Sequence, residues 1–426
     1  MAGTCCATEG PSLQDFKESG EERVLQKILK LITNNPEIAR FINLDIHNCN
    51  AEDGTSFDDA YITLRVTNEN LRRNRTEFVN DYIERTECQV LELMDILETN
   101  VLKAFQTRGV DGLENFPQPI CHSFLVLLTF LREMKNHESA LRKLLYTLPK
   151  DVTKETLIRT GLAHHLFSRL VPNNKYEVDD DAKQLPNTCP CGCDGSIYRG
   201  DTSLGTKGTW HGRVDILVND VIAITIEKEQ TMTENEDEDT VEDEPQNKKQ
   251  RKLEIDESCE MCVDVKGNRR HETVLLDVKV MNKILTKAIT NGFAQVNANK
   301  STFSHFLIPT FGATSDYVTV CLYDPEVDCL FHIDEELELW REKEIRRNLD
   351  PETIVIIWLF LNFTVLTKKN LVVPDINKSG FHKRLKKEDL KIYRETKAKA
   401  NFFSHTPEAR PWKKTTKKVM RPISPS

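Results

Sequence analysis

Residues 211–229 read HGRVDILVNDVIAITIEKE, and this stretch decides the fold. Alternate side chains of a strand share a face. Val214, Ile216 and Val218 then form one face of a first run, and Ile222, Ile224 and Ile226 one face of a second. Seating both faces on a common core requires Val218 opposite Ile222. That leaves Asn219-Asp220-Val221 as a three-residue loop, and Asn and Asp tolerate the left-handed conformation such loops use. A two-residue turn would send the two apolar sets to opposite sides of the sheet. The same register gathers His211, Arg213, Asp215, Thr225, Glu227 and Glu229 on the other face. Asp215 falls across from Thr225 and diagonal to Glu227.

Carboxylates gathered on one sheet face repel one another unless a cation intervenes. A divalent Mg or Mn ion ligated by Asp215 and Glu227 meets that need, and such an ion polarises a phosphodiester and activates water. The competing reading is an ordinary ion network, with Arg213 beside Asp215 and Glu227 on a solvated hairpin face.

An Asp at the start of one strand, a Glu-x-Glu about a dozen residues later at the end of the next, and a helix afterwards: this pattern resembles the PD-(D/E)XK nuclease superfamily. The approach Gly212-Arg213-Val214-Asp215 is similar to the superfamily's lead-in. The resemblance covers about residues 205–335. It implies that Asp215 and Glu227 ligate the metal and that Glu229 stands where a Lys is usual, as in some restriction endonucleases. Gln295 is similar to a helix glutamine found in one branch. The strand expected at 305–311 would be the next core strand. The segment also resembles a group of invertebrate proteins that share Trp-His-Gly and Asp-Ile-Leu, which implies no activity.

A second version of the site uses Asp277-x-Lys279, within VLLDVKV. Against it, Lys279, Lys283 and Lys287 recur every four residues and Val278, Met281 and Leu285 continue a helical stripe. Lysine supplied from that helix is a third version. Asp215, Glu227 and Glu229 are preferred, with Lys279 as the catalytic cation, Asp277 as the alternative acid, and Arg213, Lys283 and Lys287 as nucleic-acid contacts.

The rest of the chain sets the frame. Its 426 residues allow roughly two or three domains. Net charge is −9, charged residues make up 29% and mean hydropathy is −0.47, which describes a polar, soluble chain and excludes a uniformly basic nucleic-acid binder. No run approaches the length of a membrane helix, and the N-terminus lacks the features of a signal peptide. The protein is expected to be intracellular, nuclear or cytoplasmic, with no membrane partner. Nucleic acid is one expected partner, and proteins recruited through the helical domain and charged segments are another.

Residues 1–20 are expected to be disordered and 21–171 to form a helical domain. Val24, Ile28, Leu31 and Ile32 supply one stripe, and Leu93, Leu97, Val101 and Phe105 another, with further helices at about 120–147 and 152–170. Residues 172–210 form a Cys- and Gly-rich linker. Residues 211–370 form a mixed α/β domain with a disordered acidic insertion at 230–270. Asp350-Pro351 caps a helix at 354–366. Residues 371–426 form a basic tail. The class is therefore α+β: an N-terminal helical domain, then a mixed α/β domain resembling the PD-(D/E)XK, restriction endonuclease-like core.

Twelve cysteines in an intracellular chain read as thiols or metal ligands rather than disulfides. Cys189, Cys191, Cys193, Cys259 and Cys262 could share a zinc ion, with His211 a further candidate. Free thiols are the default, because Cys-x-Cys-x-Cys is not a standard finger spacing. His164-His165 lie on an apolar helix and read as packed or surface residues rather than ligands. Gly200-x4-Gly205-Thr206-Lys207 misplaces its lysine for a phosphate-binding loop. Lys248-Lys249-Gln250-Arg251-Lys252 reads either as a nuclear import signal or as a solvated charge run.

Overall fold

The computed structural model describes residues 11–65, 89–146, 153–182, 184–227, 274–341, 347–371 and 376–399. Glu229, Cys259, Cys262, the acidic insertion and the end of the basic tail lie outside them. Among the described residues, no helix is long and apolar enough to cross a membrane.

The hairpin has the register its apolar alternation demands. Val218 pairs with Ile222, Leu217 with Ala223 and Ile216 with Ile224 in antiparallel strands β5 (Ile216–Val218) and β6 (Ile222–Ile226). Asn219 and Asp220 take φ of 52° and 60°, so the connection is the three-residue loop with two left-handed positions.

The alternation does not extend back to residue 211. Gly212–Arg213 pairs with Ser203–Leu204 in a separate two-stranded sheet. Val214 then donates its N–H to Thr202 O at 3.2 Å and accepts from the Thr202 hydroxyl. This break sends Val214 into the same cluster as Leu217, away from Ile216 and Val218. Its physical cause is the exchange of ladder partners at residues 214–215, which resets the side-chain period.

A ten-stranded mixed sheet is built outward from the hairpin. β3 (Tyr176–Asp179) pairs antiparallel with β5 and parallel with β4 (Arg199–Gly200). Beyond β6 comes β7 (Ile308–Ala313), parallel to it, then β8 (Tyr317–Asp324) and β9 (Cys329–Ile333), each antiparallel to its predecessor. The sheet continues through β1 (Arg40–Asn43) and β2 (Val90–Glu92), and β10 (Leu337–Glu338) pairs with β8. The 21–171 segment is therefore not all helical: it donates two strands to the same sheet that carries the hairpin.

Local chemistry explains where helix gives way to strand. Helix α1 (Gly20–Asn34) is capped by the Ser19 hydroxyl and stops before Pro36, which disfavours helical geometry at Asn35. Its buried stripe is Leu25, Ile28, Leu29 and Ile32, whereas Val24 and Leu31 are exposed at 43% and 42%. The Leu93–Phe105 stripe is likewise broken, because Leu97 is extended between the turn Leu93–Ile96 and helix α2 (Thr99–Arg108).

Both faces of the sheet are covered. Ile216, Val218, Ile222, Ile224 and Phe311 pack with residues of α1, α2, α3 (Gln118–Tyr146), α4 (Lys154–Leu162) and α6 (Pro351–Leu361). The Asp350 side chain caps α6 as its Asp-Pro start requires. On the other face, Leu217, Ala223, Cys321 and Tyr323 pack with α5 (Val278–Ala298), which precedes β7. Phe381 and Tyr393 join this second core and meet Trp210, so 376–399 belongs to the fold rather than to a tail. Gly312 on β7 permits the close approach of α5. A Cβ there would meet Ile284 Cδ1 at 2.4 Å and Thr319 Cγ2 at 2.9 Å.

Candidate active site

Asp215 sits where the chain enters β5, and its N–H donates to Ile224 O at 3.1 Å. The Ile226 N–H donates to Asp215 Oδ2 at 3.0 Å, and the guanidinium of Arg159 closes on Oδ1. Arg159 also bonds Glu155, one turn earlier on α4, at 2.8 Å. Glu227 follows directly on β6, with its N–H donating to Ala313 O at 2.9 Å, so pairing with β7 fixes its position. Lys283 of α5 places Nζ 3.7 Å from Glu227 Oε1 and 3.2 Å from Asp58 Oδ1. Lys287, one turn further, is buried with its ammonium 5.8 Å from the centre of the Phe57 ring.

The electrostatics join these groups into one cluster. Burial raises the pKa of Glu227; Lys283 and Lys287 oppose the rise, while Asp215 and Glu155 add to it. Burial lowers the pKa of Lys287 against the pull of Asp215 and Glu227. The side chains of Asp215 and Glu227 keep 15% and 20% of their surface exposed. The cation that answers the carboxylate repulsion is thus supplied partly by the protein itself, through Arg159 and Lys283. Thr225, one step beyond the Ile224–Ile216 pair and hence opposite Asp215, is buried, and its hydroxyl has no hydrogen-bond partner among the described residues.

Several expected site residues lie elsewhere. Asp277 accepts the N–H groups of Lys279 and Val280 as the cap of α5, so Asp277-x-Lys279 is a helix start rather than a strand end. Lys279 is exposed there, two turns or about 12 Å along the helix from Lys287, and pairs with no acid of the site among the described residues. Gln295 donates to Asp220 O and Asn291 Oδ1, both at 3.1 Å, and so secures the hairpin loop at the opposite end from Glu227. Arg213 reaches Asp179 at 2.9 Å and Asp181 at 2.8 Å, and also bonds Asp180. It neutralises this acidic run instead of facing Asp215 and Glu227.

Arg159 and Glu155 escaped the sequence reading. Their signal was a charged i, i+4 pair on a helix otherwise read as core, in KETLIRTGL. His165, which reads with His164 as a packed or surface residue, belongs to a second cluster. Its Nε2 lies 3.2 Å from the sulfurs of both Cys189 and Cys191 and 3.8 Å from that of Cys193. These four side chains form a group that could hold a metal ion. His211 is not part of it; its Nδ1 faces Thr209 O at 3.0 Å.

No protein-family model, curated protein sequence or solved structure matches the chain.

Proposed function

We propose that the protein is a metal-dependent phosphodiesterase acting on nucleic acid through Asp215 and Glu227. The observation that carries this reading is that Asp215 at the entry to β5 and Glu227 at the end of β6 both stay partly exposed, with Lys283 of the next helix 3.7 Å from Glu227 and Lys287 one turn further along it. The order also supports it: an Asp strand, a Glu strand, a helix and then a further core strand is what resemblance to the PD-(D/E)XK superfamily implies.

The donor set fits a small divalent cation. Mg and Mn are commonly held by one or two carboxylates together with substrate phosphate. Each carboxylate here retains unused lone pairs, and the orphan Thr225 hydroxyl supplies a further oxygen nearby. When bound, the ion would polarise a phosphodiester and activate a water. Arg159 and the Ile226 N–H orient Asp215. Lys283 holds Glu227 in place, and Lys287, one turn along α5, would add positive charge to the surroundings of both acids. Lys287 thus takes the role expected of Lys279.

A second reading has its own support. Arg159 and Lys283 already balance the two acids, as they would in a non-catalytic scaffold that binds nucleic acid or protein. A cleavage assay on labelled single- and double-stranded DNA and RNA, with Mg, with Mn and with EDTA, separates the two. Metal-dependent cutting abolished by Asp215→Asn and by Lys287→Met is the expected result. A folded protein that binds these polymers and cuts none of them with either metal would overturn catalysis and leave the scaffold.

A further inference from the structure

We propose that Cys189, Cys191, Cys193 and His165 form a structural zinc site that clamps the 184–197 loop onto the end of α4. The proposal is independent of the nuclease reading.

The three sulfurs and the imidazole nitrogen all lie within 4.8 Å of one another. Tetrahedral zinc, with Zn–S near 2.3 Å and Zn–N near 2.0 Å, sets its ligand atoms about 3.5–3.8 Å apart. The nitrogen-to-sulfur separations of 3.2, 3.2 and 3.8 Å lie around that range. Hydrogen bonding to the histidine does not by itself account for the convergence. One imidazole nitrogen offers either a single proton or a single lone pair, so it cannot satisfy three thiols.

The surroundings of the histidine suit a metal ligand. A metal-bound imidazole nitrogen obliges the other ring nitrogen to carry the proton, and that N–H normally finds an acceptor. His165 Nδ1 lies 3.3 Å from His137 Nδ1, and His137 Nε2 lies 3.6 Å from Glu133 Oε2. One assignment of protons satisfies the chain: His165 Nδ1–H donates to His137, and His137 Nε2–H points to the Glu133 carboxylate. Three thiolates, one neutral imidazole and Zn carry a net charge of −1. Lys143 bonds the Cys191 carbonyl, and the Arg169 guanidinium lies beside His164, so cations flank the cluster.

The backbone is shaped for the same purpose. Continuing α4, Ala163–Phe167 is a π-helical turn, whose extra residue re-aims His164 and His165; such turns are frequent at functional sites. On the loop, Gly192 N–H donates to Cys189 O at 3.2 Å, closing a turn with Pro190 inside it. Gly192 takes φ of 85° between the second and third cysteines. A Cβ on Gly195 would meet His164 Nε2 at 2.2 Å, so glycine is required for the loop to approach the helix.

The test is metal analysis of the purified full-length chain, followed by replacement with cobalt, whose visible bands report tetrahedral coordination and whose ultraviolet band reports thiolate ligands. About one zinc per chain, and a cobalt spectrum of tetrahedral thiolate–imidazole type, are expected. The Cys189→Ser/Cys191→Ser double variant should lose the metal, and a Cys321→Ser control should retain it. His165→Cys supplies a fourth sulfur and should keep the metal while intensifying the thiolate band, which tests the ligand set even if the double variant fails to fold. His137→Gln should weaken affinity by roughly 10–100-fold. A folded wild-type chain that takes up neither zinc nor cobalt overturns the proposal. So does metal whose spectrum is unchanged by His165→Cys.

Discussion

Arg159 of α4 and Asp215 at the start of β5, fifty-six residues apart, meet as an ion pair that is largely closed to solvent, with side-chain exposures of 9% and 15%. The pair links the helical layer to the hairpin and fixes the direction of the Asp215 carboxylate. It also places a permanent positive charge where a divalent cation would bind, so stability and metal affinity oppose each other at this residue.

Arg159→Leu is expected to lower stability by about 3 kcal/mol, because it leaves Asp215 in a largely closed setting without its counter-charge. The same change frees Asp215 Oδ1 and should strengthen Mn binding. Denaturant unfolding with and without Mn measures both effects. Equal stability of the variant and the parent chain would show that Arg159 does not hold the carboxylate.

Glu227 and Asp220 should give opposite pH dependences. The folded chain holds the Glu227 proton more tightly than the unfolded chain, chiefly through burial. Ionising it therefore costs stability as pH rises from the ordinary glutamate range through the raised value. Glu227→Gln should match the parent in acid and exceed its stability at neutral pH. At Asp220, burial is outweighed by Lys175 and Lys399, and the pKa falls. That group contributes stability above the ordinary aspartate range and loses it as pH drops through the lowered value, so Asp220→Asn should be weaker at neutral pH and converge in acid. Melting curves across pH decide both, and curves that shift in the same direction would contradict the assignment.

Gly312→Ala tests how α5 is seated. The added methyl group would overlap Ile284 and Thr319, and overpacking of this kind costs about 1–3 kcal/mol. Since α5 carries Lys283 and Lys287, the substitution should also reduce any activity of the Asp215–Glu227 site by more than the loss of folded protein explains. Parallel measurement of unfolding and cleavage separates the two effects. An unchanged melting temperature would mean that α5 does not pack as closely on β7 as the structure has it.

The features legible in the chain alone are local. The alternation of Ile216, Val218, Ile222 and Ile224 admits one register that buries all four, and Asn219-Asp220 supplies the turn for it. Asp350-Pro351 specifies a helix start through a cap and a preset φ. These features depend on residues within one or two turns of one another.

Which distant side chains meet is set by the packing of the whole fold. The first half of α5 offers a lysine at every fourth residue, 279, 283 and 287, and sequence spacing alone cannot say which turn faces Glu227; the close approach of Ile284 to Gly312 selects Lys283 and Lys287 over Lys279. Arg159 and His165 read as residues of one buried helix until the sheet brings Asp215 beside the first and the cysteine loop lies against the second. The alternation rule failed at Val214 for the same reason, because a strand keeps its period only while its ladder partner is unchanged, and partners are chosen by packing across the whole chain.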